Sequence, residues 1–190
     1  SGLPAAEGTV WEIGSAAKVS WGIAANHGGG YQYRLCPRGE ALTEECFQRM
    51  PLPFATTTQT LILGNGSALE IEGKFTSSGT TPEGSTWAAN PVPACGDAIP
   101  GTYGKPCKSP QFPPPPGCDE ACWGNSDETI RGDHRHAVLP TIVDHVLVPA
   151  RLAPGDYVLG WRWDCEQTAQ IWSSCSDVTL VRPSGDSFLV

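Results

Sequence analysis

The sequence predicts an all-β domain stapled by disulfides. Three observations carry that prediction. Apolar and polar residues alternate in short runs, as on a half-buried strand. Glycine (22) and proline (18) are frequent and concentrate between those runs, as turn signals do. Eight cysteines accompany a single methionine, and no CxxC pairing of a zinc ribbon is present. At 190 residues, one all-β domain can bury a continuous core, so residues 1–190 are read as one unit.

Taken in order, the first strand is expected at Lys18 to Ala24, burying Val19, Trp21 and Ile23. The second is expected at Gly30 to Cys36, with Tyr31, Tyr33 and Leu35 on one face. An apolar run at Thr60 to Leu63 ends in Gly64-Asn65-Gly66, and Leu69 to Phe75 follows at once, as in an antiparallel hairpin. From about 76 to 133 the periodicity is lost. Four of the cysteines and the polyproline run Pro113 to Pro116 lie there, so this stretch reads as a long irregular loop. Strand signals return at Ile142 to Val148, at Tyr157 to Trp163 (Tyr157, Leu159, Trp161 and Trp163 on one face) and at Val178 to Val181. No helical periodicity and no internal repeat is seen.

Composition narrows the function classes. A formal net charge of -8 without a Lys/Arg cluster argues against nucleic acid as a partner. No run approaches the roughly 20 apolar residues of a membrane span. The cysteines are read as four disulfides of a secreted protein. Cys36 with Cys46 and Cys165 with Cys175 are attractive local clips, but eight cysteines allow on the order of a hundred connectivities. Asn65-Gly66-Ser67 is a glycosylation sequon. Ser1 is followed by no signal-peptide pattern, which reads as a processed form or a fragment.

Few residue patterns point to chemistry. No serine stands in a nucleophile elbow. Asp164 and Glu166 flank Cys165 on one strand end, whereas glycoside hydrolysis needs carboxylates on opposing elements; a solvated acidic hairpin end is the preferred reading. His27, in Ala25-Asn26-His27-Gly28-Gly29-Gly30-Tyr31, is the candidate metal ligand, because the glycines leave an imidazole accessible there. His134 and His136 could chelate from an extended segment, but Arg131 and Arg135 disfavour a cation, and His145 reads as a strand residue. Trp11, Trp21, Trp161 and Trp163 are assigned to the core. Trp172, placed in a connection between strands, is assigned to the surface, where an indole can stack on a sugar ring.

Two further stretches carry a family likeness: Ala153-Pro154-Gly155-Asp156-Tyr157-Val158-Leu159 and Gln170-Ile171-Trp172-Ser173-Ser174-Cys175. Together they resemble the C-terminal part of lytic polysaccharide monooxygenases and their chitin-binding relatives. The match covers roughly the last 45 residues, joined by the His27-Gly28-Gly29 context, which is similar to the loop supplying that family's second copper histidine. The chain looks like a divergent algal or oomycete branch of the group. The resemblance implies an immunoglobulin-like or fibronectin-like antiparallel β-sandwich, with copper as cofactor and a chitin-like or cellulose-like polysaccharide as substrate. By position, it makes His27 the internal copper ligand, Gln170 a donor beside the copper and Trp172 the aromatic on the axial side. Tyr or Phe is usual at that last position. The family's copper also needs an N-terminal histidine; the sequence opens on Ser1, so the resemblance expects that ligand from an upstream segment.

Three readings follow. The first is a copper-dependent polysaccharide monooxygenase, with His27 on the metal and Gln170 and Trp172 beside it. The second is a non-catalytic carbohydrate-binding module that uses exposed Trp172, Tyr31 and Trp123. The third is a structural component of an extracellular assembly, packed against neighbouring proteins through the long loop.

Overall fold

The computed structural model describes residues 9–23, 27–63, 66–91, 140–166 and 169–184. Two sheets share one hydrophobic core. The six-stranded sheet runs β1 (Thr9–Glu12), β10 (Ile171–Val181), β9 (Gly155–Asp164), β3 (Gly30–Pro37), β7 (Trp87–Ala89), β6 (Phe75–Thr76). The four-stranded sheet runs β2 (Ala16–Gly22), β8 (Thr141–Leu147), β4 (Thr58–Ile62), β5 (Ala68–Glu72).

Alternation does what it predicts in β2, where Ala17, Val19 and Trp21 are buried between exposed neighbours. On β9, Tyr157, Leu159 and Trp163 are buried and Trp161 packs against the same core. Tyr31, Tyr33 and Leu35 of β3 meet them from the adjacent strand. Trp11 and Trp21 are core residues as expected. β4 and β5 pair antiparallel as the predicted hairpin.

Four expectations are corrected. The pairing is not wholly antiparallel, because β1 runs parallel to β10; four residues of β1 are too few to show a pattern in the sequence. Phe75 does not continue β5. The chain crosses at Gly73, and Phe75 pairs with Ala88 in the other sheet. That pairing builds β7 inside the stretch read as irregular. A helix, α1 (Glu44–Gln48), is also present. One turn is too short for periodicity, but Thr43 caps it by accepting from the Cys46 amide at 3.3 Å, and Glu44 and Glu45 occupy the first turn.

Of the two local clips, Cys36–Cys46 forms, with its Cα atoms 5.5 Å apart, and ties α1 to β3. Cys165–Cys175 does not. The ladder sets Cys175 opposite Gly160, five residues along β9 from Cys165. That is roughly 16 Å at a strand's rise, where a disulfide needs about 4.4–6.8 Å.

Between the sheets lies a polar cluster with no signal in the sequence. Asp144 on β8 is 1% exposed. Its Oδ2 accepts from the hydroxyls of Tyr31 at 2.8 Å and Tyr33 at 2.9 Å, and its Oδ1 accepts from Gln59 Nε2 at 3.1 Å. Gln59 also donates to the Tyr31 hydroxyl. Burial pushes the Asp144 carboxyl up, against the pull of those donors. Burial, then the charge of Asp144, pushes both phenols far above their usual range.

Candidate functional site

His27, Gln170 and Trp172 lie at one end of the six-stranded sheet. Trp163, near the end of β9, is flanked by Tyr31 of β3 and Trp172 of β10. The chain enters β3 through His27, Gly28 and Gly29. Gly28 and Gly29 have φ of 62° and 80°, a left-handed conformation that suits glycine. A Cβ at Gly29 would also collide with the Asp164 carbonyl oxygen. This close approach lets the loop lie against the end of β9.

Hydrogen bonds pin the loop there. The Trp163 indole N–H donates to the Gly28 carbonyl at 2.6 Å, and the Glu166 amide donates to the His27 carbonyl at 3.0 Å. The Asn90 amide donates to the Gly29 carbonyl at 2.8 Å. The His27 ring lies over the Trp163 ring, with centroids 6.2 Å apart and planes 19° from parallel. His27 is half-buried, and its Nδ1 is buried without a hydrogen-bond partner. Across the strand end, the Cys165 amide donates to the Gln170 carbonyl at 3.1 Å. Gln170 is exposed. Trp172 is 50% exposed and Ile171 58%.

On the sheet's outer face a charged lattice stiffens the same end. Arg162 donates to both oxygens of Asp164, at 2.6 and 2.9 Å, and to Glu44 at 2.7 Å. Its guanidinium sits 6.0 Å from the centre of the Trp87 ring. Glu44 also holds the buried Arg34. Burial raises the Glu44 carboxyl, but its bonds from Arg34 and Gln48 outweigh that and hold it below the usual carboxylate range. Hydrogen bonding to Asp164 raises Arg162.

The structure therefore brings His27, Gln170 and Trp172 to one sheet end. Trp172 belongs to β10 rather than to a connection; its backbone pairs with Trp163, and the residue is half exposed. Tyr31 is corrected. It is 0% exposed and hydrogen-bonded to Asp144, so its ring is a core element with no face for a sugar. Asp164 is neutralised by Arg162, in keeping with a structural acid. Trp123, His134 and His136 lie outside the described residues. Trp163, which both stacks on His27 and holds its loop, is the site residue that sequence reasoning placed only in the core. The pairing of its number with Tyr31 and Trp172 needs the strand register, which no local pattern supplies.

Among the described residues, the donor set for a metal ion is incomplete. His27 offers one imidazole with an unpartnered nitrogen. Among the described residues no group of three or more His, Cys, Asp or Glu is placed to hold a metal ion. The described residues thus fit a single nitrogen ligand and not a full ligand set. No protein-family model matches the chain.

Proposed function

We propose that this chain is an extracellular polysaccharide-recognition domain on an immunoglobulin-like or fibronectin-like sandwich, similar to the scaffold of the lytic polysaccharide monooxygenases. The observation that supports this most directly is the half-exposed indole of Trp172, held on a rigid strand beside Gln170 and the His27 loop. An indole face stacks on a pyranose ring, and the amide and carboxylate side chains around it bond to hydroxyls. Gln170 and Glu166 supply an amide and a carboxylate near this strand end, and Ser174 adds a hydroxyl on the same face as Trp172. The test is binding to insoluble chitin and cellulose with Trp172→Ala as the variant.

A second reading, copper-dependent oxidative attack on the polysaccharide, is favoured by the unpartnered Nδ1 of His27. Buried polar atoms are seldom left unpaired without a reason. Any remaining copper ligands would come from outside the described residues. Here the test is copper titration followed by electron paramagnetic resonance, with His27→Ala as the control. Retention of the full copper signal in that variant would eliminate His27 as a ligand.

A further inference from the structure

The exposed edge of β10 carries an inference independent of polysaccharide binding. β10 has 11 residues, and β1 pairs only with Val178 to Val181. Among the described residues, nothing pairs with Ile171 to Asp177 on that side. Hydrogen-bonding alternates along an antiparallel ladder. Gln170 accepts from Cys165 of β9's end, so even-numbered residues bond toward β9. Val181 accepts from Ile13 on the other side, so Ile171, Ser173, Cys175 and Asp177 aim their backbone groups at the open edge. Exposed edges normally carry a lysine, a proline or a bulge that blocks pairing. From Ile171 to Ser176 this edge has no charge and no proline.

On the inner face of the same strand, a hole and a knob alternate. Trp172, Ser174 and Ser176 share the face of their partners Trp163, Trp161 and Leu159. A cleft of about 400 Å³ opens there, lined by Trp11, Trp21, Trp161, Ser174 and Ser176 among others. Benzene fills an engineered cavity of about 150 Å³, so an indole has room. Trp172 stands two residues from Ser174 with half its surface uncovered.

We propose that two copies of this chain associate through this edge, antiparallel about a twofold axis at Ser174. Ser174 then faces Ser174, Ser173 faces Cys175, and Ile171 faces Asp177 of the second copy. This register uses all of the edge that no described residue pairs with, and stops where β1 begins. It forms about eight backbone hydrogen bonds, two for each bonded pair. It also sets Trp172 of each copy opposite Ser176 of the other, at the mouth of the cleft. No like charges meet, since Asp177, already paired with Arg38 at 2.7 Å, faces an isoleucine. The two thiols lie diagonally across the axis and form no bond. Dimerisation withdraws Trp172 from solvent, so a polysaccharide and a second copy compete for it.

Sedimentation velocity across the micromolar range tests the proposal. The wild-type chain is expected to dimerise, and Cys175→Ser to dimerise equally well with or without reductant. Ser174→Lys and Ser174→Glu, each placing like charges at the axis, should raise the dimer dissociation constant at least tenfold while leaving the circular dichroism unchanged. Their equimolar mixture should restore the dimer. Trp172→Ala should weaken association by a similar factor. A wild-type monomer at every concentration would overturn the proposal, as would slow amide exchange at Ser173 and Cys175 in that monomer. Dimers of the lysine variant as tight as wild type, a mixture that stays monomeric, or a dimer lost with Cys175 would do the same. Failure here leaves polysaccharide binding by the monomer untouched, and failure of polysaccharide binding leaves the dimer untouched.

Discussion

Replacing Asp144 by alanine is expected to be among the most destabilising single changes in the core. The side chain accepts from the hydroxyls of Tyr31 and Tyr33 and from the Gln59 amide. Gln59 keeps its bond to the Tyr31 hydroxyl, so two phenol O–H groups lose their acceptor inside the core. Each stranded donor costs about 1–3 kcal/mol. The cavity left by the carboxylate adds to this, while release of a buried charge subtracts from it. The net expectation is a loss of about 3–5 kcal/mol, a large share of the ~5–15 kcal/mol typical of a domain. Asp144→Asn keeps the shape and one acceptor oxygen. Turning the Gln59 amide would offer its Oε1, unpartnered now, to the new N–H but take its Nε2 off the Tyr31 hydroxyl, so one bond is exchanged for another. The expected loss is about 1–2 kcal/mol, smaller than for alanine because the two phenols keep an acceptor. Urea unfolding of both variants against wild type measures the difference. A loss below about 1 kcal/mol for the alanine variant would refute the cluster as a determinant of stability. So would an asparagine variant as unstable as the alanine one.

The remaining predictions concern pH and the His27 loop. Burial raises the Asp144 carboxyl above its ordinary value. The folded state thus holds that proton longer than the unfolded chain, and the contribution of Asp144 is greatest below the ordinary value and declines as pH rises through the folded one. Glu44 has the opposite sign: it is held low, and what it contributes is lost as pH falls through its depressed value. Unfolding midpoints of Asp144→Asn and Glu44→Gln across mildly acidic pH should therefore lose slopes of opposite direction, and parallel profiles would contradict the assignment. Gly29→Ala should open the loop, because φ of 80° strains alanine and its Cβ meets the Asp164 carbonyl. The expected sign is faster amide exchange at Glu166, whose N–H is held by His27, with the core unchanged; unchanged exchange would mean that the loop tolerates the side chain.

What the sequence reveals about this molecule divides by range. β2, β3, β4, β8 and β9 are visible because core-facing apolar residues recur at every second position, as in Val19-x-Trp21 and Tyr31-x-Tyr33-x-Leu35, although the other face of β3 is buried too. β1, β6 and β7 are too short for a period, and their pairings join distant segments. Only the register of β10 shows that Cys165 and Cys175 are too far apart to bridge. At the site, the glycines after His27 foretell an unusual backbone, and the last stretch foretells Trp172 at the surface. Tyr31 is legible in two ways, as part of the core-facing Tyr31-x-Tyr33-x-Leu35 and as an aromatic suited to an exposed platform, and its own residue type does not choose between them. The partner that decides between them is 113 residues away.

The most direct test of the polysaccharide reading is a depletion isotherm on insoluble chitin and cellulose, run at protein concentrations where the wild type is monomeric. Fully burying a large apolar side chain is worth about 1.5–3 kcal/mol, and a half-exposed indole covered by a sugar ring gains a share of that. Trp172→Ala should therefore weaken binding at least several-fold, with unfolding in urea unchanged. Binding of the wild type to neither polymer, or equal binding by the variant, would contradict the account.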